Sequence, residues 1–238
     1  SHLNGQNSLY FASHSGAPVD SQVLGLTQVW FDAQTGEIIE TDIVLNDVDY
    51  QFSTRVSDTT GYGSGQMTGR TAFIENVLTH ELGHVFGLAH GGVMQSTMLF
   101  MEAPDQAHLG CDDQTGIKGL YGDIQGGISA RVVDPSGIPI LGAQVQAISR
   151  SQGTLYAASL TGTDGFAHLG GLPAGQYDLM VEPYFAGPSA LPSYYRTMNP
   201  RVCEGGSFFS RTFRKGSDGF ALEPVQVTPG QDAQAGTL

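Results

Sequence analysis

Eleven consecutive residues, His80-Glu81-Leu82-Gly83-His84-Val85-Phe86-Gly87-Leu88-Ala89-His90, constrain this chain more than any other stretch of its sequence. They fit the pattern HExxHxxGxxH, which demands a helix followed by a sharp turn. Residues four apart share one helix face, so His80 and His84 can offer imidazole nitrogens to one metal ion while Glu81 turns toward water. Gly87 adopts at little cost the backbone conformation such a turn needs, and the turn swings His90 back as a third ligand. No fourth protein ligand is local, and an open fourth position marks a catalytic site; a structural one closes it. Three neutral imidazoles predict zinc, one ion, with Glu81 as the general base that takes a proton from water and hands it to a departing amine. The expected chemistry is peptide-bond hydrolysis without a covalent intermediate.

The rest of the sequence tells where that helix sits. A chain of 238 residues makes one large domain or two small ones. Its net charge of −13 is lopsided: residues through Ile124 hold 15 acidic and 3 basic side chains, whereas Gln125 onward hold 8 and 7. So acidic a chain repels polyphosphate, which excludes nucleic acid as a partner. The charge break coincides with the turn-forming stretch after Leu120-Tyr121-Gly122, which divides the chain into residues 1–124 and 125–238. No apolar run approaches the roughly 18 residues a membrane helix requires, so no transmembrane segment is expected.

In the first half, residues 7–13, 26–32 and 38–45 read as strands. Thr71 to Leu88 reads as a helix with Phe73, Val77, Leu78, Leu82 and Val85 at three- to four-residue spacing. A second helix starts at Asp112-Asp113, whose carboxylates suit an N-terminus, and carries Ile117, Leu120 and Tyr121 on one side. Beyond residue 125 come short strands punctuated by Gly and Pro, with Tyr177, Leu179 and Val181 alternating onto one face. The fold class is therefore α+β, a sheet with a metal-binding helix and a C-terminal helix, followed by an all-β antiparallel sandwich.

These residues resemble the metzincin zinc peptidases, and among them the matrixins, the matrix metalloproteinase group with its bacterial relatives. Met98, eight residues after His90, stands where matrixins place the methionine of their Met-turn, a hydrophobic floor under the metal. Leu109 to Gly122, with Asp112-Asp113, Gly116-Ile117 and the closing Leu120-Tyr121-Gly122, is similar to the last matrixin helix. The resemblance implies a secreted zinc endopeptidase acting on proteins or peptides. The family's first strand and long helix have no room here, so the catalytic domain looks as if it starts midway. A separate N-terminal fragment or propeptide, a shortened chain, and a minimal variant are all open accounts of this. Asp47, Asp49 and Asp58 are carboxylates available to calcium, although solvated loop acids are the simpler reading.

Gly126-Gly127-Ile128-Ser129-Ala130-Arg131 and the later turns at Gly162-Thr163-Asp164-Gly165 and Gly171-Leu172-Pro173-Ala174-Gly175 resemble the carboxypeptidase-regulatory-like, transthyretin-like β-sandwiches. Such a domain implies a supporting role, or attachment to a substrate or cell surface. An insert from Phe185 to Gly216, rich in aromatic residues and arginine, is a candidate binding surface. Cys111 and Cys203 form one bridge or remain two thiols. A disulfide tying the two halves together in an oxidising compartment is the simpler account. The competing function is an adhesion or substrate-binding module whose protease-like half is latent.

Overall fold

The computed structural model describes residues 3–16, 19–60, 70–93, 96–103, 105–122, 125–183, 212–217 and 221–238. These have a mixed α+β fold with few helices and many strands. They pack as two compact units, Ser1–Ala89 with Thr97–Leu109, and His90–Ser96 with Gly110–Leu238. No described helix is long and apolar enough to cross a membrane.

The first unit opens with β1 (Ser8–Phe11), a short helical turn α1 (Ala12–Ser15), β2 (Gly25–Phe31) and β3 (Ile38–Leu45). β3 is the central strand, parallel to β1 and antiparallel to β2, which leaves β2 at an edge. The connection after β3 contains a further small sheet: β4 (Gln51–Ser53) runs parallel to β5 (Thr71–Phe73). Helix α2 spans Ile74–Val85. The helix thus starts three residues later than its hydrophobic spacing suggests, because Thr71 to Phe73 are drawn into pairing with β4. Val77 packs with Ile43 and Leu45 of β3 and with Ala72, joined by Ile74, Leu78 and Val85 at the margin. Leu82 and Phe86, one turn apart, are about half exposed and lie off this core.

In the second unit, α3 (Cys111–Tyr121) precedes β6 (Gly126–Arg131), β7 (Ala143–Ser149), β8 (Leu155–Leu160), β9 (Phe166–Leu172), β10 (Gly175–Pro183), β11 (Thr212–Phe213), β12 (Val225–Val227) and β13 (Asp232–Thr237). One sheet has the order β11-β10-β7-β8 with β12 also on β10, and the other the order β13-β6-β9. Ile128, Leu169, Val145, Leu179 and Val227, from strands of both sheets, share one apolar core. Tyr177, Leu179 and Val181 are all buried, as their alternation predicts.

α3 does not follow its expected apolar stripe. Leu120 and Tyr121 are more than half exposed, while Asp113 and Thr115 are buried. Its contact with β9 runs through backbone: an added Cβ on Gly119 would lie 2.9 Å from the carbonyl carbon of Gly170. Small residues there let helix and strand approach more closely than leucine would allow. Cys111 opens this helix, exposed. Cys203, and with it the pairing of the two cysteines, lies outside the described residues, as does most of the insert from Phe185 to Gly216.

Candidate metal centre

His80 and His84 stand one turn apart on α2, their rings edge-on with centroids 4.9 Å apart. His80 Nδ1–H donates to the Thr97 carbonyl and His84 Nδ1–H to the Leu88 carbonyl, each at 2.8 Å. A carbonyl has no proton to give, so both Nδ1 atoms carry hydrogen, which in a neutral ring puts the ligand lone pair on Nε2. Burial lowers the basicity of His84, against the opposing pull of the Leu88 carbonyl, and this favours the neutral ring a metal needs.

The helix ends as the motif requires. Gly87 has φ of 87°. The Gly87 N–H bonds the His84 carbonyl and the Leu88 N–H the Gly83 carbonyl, both at 2.9 Å, which closes the turn and sends the chain on to His90. The ligand atoms of His80, His84 and His90 lie within 4.8 Å of one another, close enough to hold a metal ion. Among the described residues this is the one group of three or more such side chains that converges. The donor set, three imidazoles with two tautomers tied by carbonyls, fits zinc in its usual nitrogen ligation.

Glu81 is only 4% exposed. Its Oε2 accepts from Thr27 Oγ1 at 2.6 Å, and the same hydroxyl reaches the Glu81 carbonyl at 3.1 Å. Burial pushes its carboxyl up to about 7, against the lowering effect of the Thr27 bonds. Strand β2 makes room for it: a Cβ on Gly25 would stand 2.7 Å from Glu81 Oε1.

Met98 is buried and sits under α2, where its sulfur occupies the space a side chain on Gly83 would need. The segment around it is tied by one glutamine. Gln106 Nε2 donates to the carbonyls of Thr97 and Leu99 at 3.2 Å and of Met101 at 3.0 Å, and Thr97 Oγ1 donates to the Gln106 carbonyl at 2.9 Å. Asn76, on the first turn of α2, secures the same stretch by donating to the Ala103 carbonyl and accepting from Ala107 N–H. Of the paired aspartates, Asp113 accepts from Ser96 Oγ and from Gly110 N–H, while Asp112 accepts from Ala158 N–H at 2.6 Å.

Sequence reading singled out His80, His84, His90, Glu81 and Met98, of which the structure brings the three histidines together. Thr27, Thr97 and Gln106 escaped it, because a threonine in a strand and a glutamine in a loop carry no spacing signal. Asp47, Asp49 and Asp58 do not converge; each bonds a different partner, Ser13, Asn46 and Ser53 respectively.

Residues 15–122 match the family model described as matrixin, and residues 127–189 that of the carboxypeptidase regulatory-like domain. No curated protein matches the chain significantly. Among solved structures, the Bacillus anthracis TIE protein is 16% identical, with the match covering 48% of this chain and 16% of that one at a TM-score of 0.31. The 5-hydroxyisourate hydrolase of Klebsiella pneumoniae is 21% identical over 46% of this chain and 85% of its own, TM-score 0.26. Fervidolysin from Fervidobacterium pennivorans, a keratinolytic enzyme related to subtilisin, is 18% identical over 52% of this chain and 18% of its own, TM-score 0.28.

Proposed function

We propose, from a chain that carries a matrixin domain at residues 15–122 and a carboxypeptidase regulatory-like domain at residues 127–189, that the protein is a zinc-dependent endopeptidase. The observation that carries this is the convergence of three imidazoles within 4.8 Å beside a buried glutamate. His80, His84 and His90 hold the ion, which supplies Lewis acidity at the substrate carbonyl when bound.

The other steps belong to side chains. Glu81 removes a proton from the attacking water and returns it to the leaving nitrogen, work that suits a carboxylate whose pKa stands near neutrality. Thr27 holds the Glu81 carboxylate at one oxygen and so leaves the other for the proton. Met98, in the Met-turn, fills the space under α2 and keeps the helix at a set depth. β2 is an edge strand, and an extended peptide can pair with its backbone. Protein or peptide substrates follow from the family. We place the enzyme outside the cell and take the β-domain as a sandwich that supports the catalytic half, both on resemblance; the pairing of Cys111 with Cys203 rests only on the oxidising compartment this location implies. Nothing in the site favours the adhesion reading.

Hydrolysis of casein by the purified chain, with and without a zinc chelator, tests this proposal beside Glu81→Ala. The expected result is chelator-sensitive cleavage that falls by roughly 100- to 10,000-fold in the variant while zinc stays bound. Unchanged cleavage in Glu81→Ala would sink the assignment of the base.

A further inference from the structure

The short stretch that begins with His90 belongs, by packing, to the second unit. Inside that unit the buried Gly92 N–H donates to Gln144 Oε1 at 2.8 Å. Gln144 is 2% exposed and lies on β7 beside Ala143 and Val145, which point into the apolar core. Side chains alternate along a strand, so Gln144 faces the other side of the sheet, where a buried amide needs partners. It has them at both ends: its Nε2 donates to Glu182 Oε1 at 3.2 Å, and Gln146 donates to the same carboxylate oxygen. The partners orient the amide, since Gly92 N–H can only donate and a carboxylate only accept. Asp112 stands beside this tie, its Oδ1 taking the Ala158 N–H of β8 and its Oδ2 3.7 Å from where a Cβ on Gly91 would be. A second tie closes the stretch, where Ser96 Oγ meets Asp113.

We infer that Gln144 is a positioning residue for the third metal ligand: by gripping Gly92 it sets where the chain presents His90. This rests on the reading of His90 as a ligand. On this account the regulatory-like domain helps to set metal affinity, through one glutamine whose own geometry Glu182 maintains.

Gln144→Met keeps the length of the side chain and removes the acceptor. Its zinc affinity, measured by competition with a chromophoric chelator, is expected to fall about 10-fold or more, the usual cost of losing an outer partner of a metal ligand. The visible spectrum of the cobalt-substituted chain should shift with it. Gln146→Met, which loses a bond to the same Glu182, should leave both readouts at wild-type values. The exchange Gln144→Glu with Glu182→Gln keeps an acceptor for Gly92 and a donor opposite, and should restore affinity. Wild-type zinc affinity and cobalt spectrum in a folded Gln144→Met would overturn the inference. If that variant does not fold, amide hydrogen exchange of the zinc-free wild type decides: protection at Gly92 supports the grip, and exchange at the solvent rate refutes it. His90→Ala separates the two levels, because undiminished zinc binding there would remove the ligand assignment and leave the Gln144 contact standing.

Discussion

His80 and His84 are set by a helix, and His90 is set by a loop. The two helical imidazoles stand at their distance because an α-helix returns to the same face after four residues. The loop imidazole follows a turn at Gly87 and is carried by a segment whose hold, Gly92 on Gln144, joins residues 52 apart. Local periodicity sets the spacing of the first pair. Tertiary packing decides the third. The comparison predicts that the helical ligands tolerate changes in the second unit, and that the loop ligand does not.

The most severe way to sharpen it is to delete ligands one at a time. His84→Ala and His90→Ala should each weaken zinc binding by more than the roughly 100-fold that loss of an outer partner can cause. Their melting temperatures in chelator should differ, because His84 Nδ1 also ties the helix end to Leu88 and His90 stands on the loop beyond it. A His90→Ala chain that keeps wild-type zinc affinity in the competition assay would show that the helix pair binds the ion unaided.

The next test concerns Asp112, which flanks the loop at Gly91. Burial raises its carboxyl from 3.8 to about 7, opposed by the Ala158 N–H and helped by the neighbouring charge of Asp113. The folded state therefore favours the protonated acid. The stabilisation is complete below about pH 4 and is lost as pH climbs toward 7, at most on the order of 4 kcal/mol. Asp112→Asn mimics the neutral acid and should flatten the decline of thermal stability between pH 4 and 7. An unchanged slope in the variant would mean that Asp112 ionises freely in the folded chain.

This contrast also explains what the sequence let a reader see. The strand around Ile43 was legible from its β-branched residues and the one around Leu179 from its alternation, since both signals are local. The metal motif was legible for the same reason, since His80, His84, Gly87 and His90 obey helix and turn geometry within eleven residues. Thr27, Gln106 and Gln144 were not, because their roles depend on partners brought near by folding. Two local readings were overridden. Thr71 to Phe73 have helical spacing but pair with β4, and Leu120 and Tyr121 stay exposed because α3 approaches β9 through Gly119.

A smaller effect is expected where the helix meets its floor. Gly83→Ala raises helix propensity, by about 1 kcal/mol in an exposed helix, yet drives a methyl group into the Met98 sulfur. Overpacking of this kind costs roughly 1–3 kcal/mol, so the net change should be a modest loss of stability with weaker zinc binding. Adding Met98→Ala should relieve the clash, and the double variant should lose less than the sum of the two single changes. Strict additivity in melting experiments would place the methionine away from Gly83.

The smallest effect probes the joint between the helical ligands and the loop ligand. Gly87 holds φ at 87°, a conformation in which a Cβ crowds the following carbonyl at a cost of roughly 1–2 kcal/mol. Gly87→Ala carries that strain, whereas Gly87→Asn carries less, since asparagine enters the left-handed region more readily than alanine. Size alone would rank the two the other way. If conformation governs the joint, zinc affinity should fall in the order wild type, Gly87→Asn, Gly87→Ala, with melting temperature following. The reverse order would mean that the turn fails by crowding. His84 bonds Leu88, the residue next to Gly87, so displacement of the turn reaches a helical ligand as well as His90 and blurs the division between them.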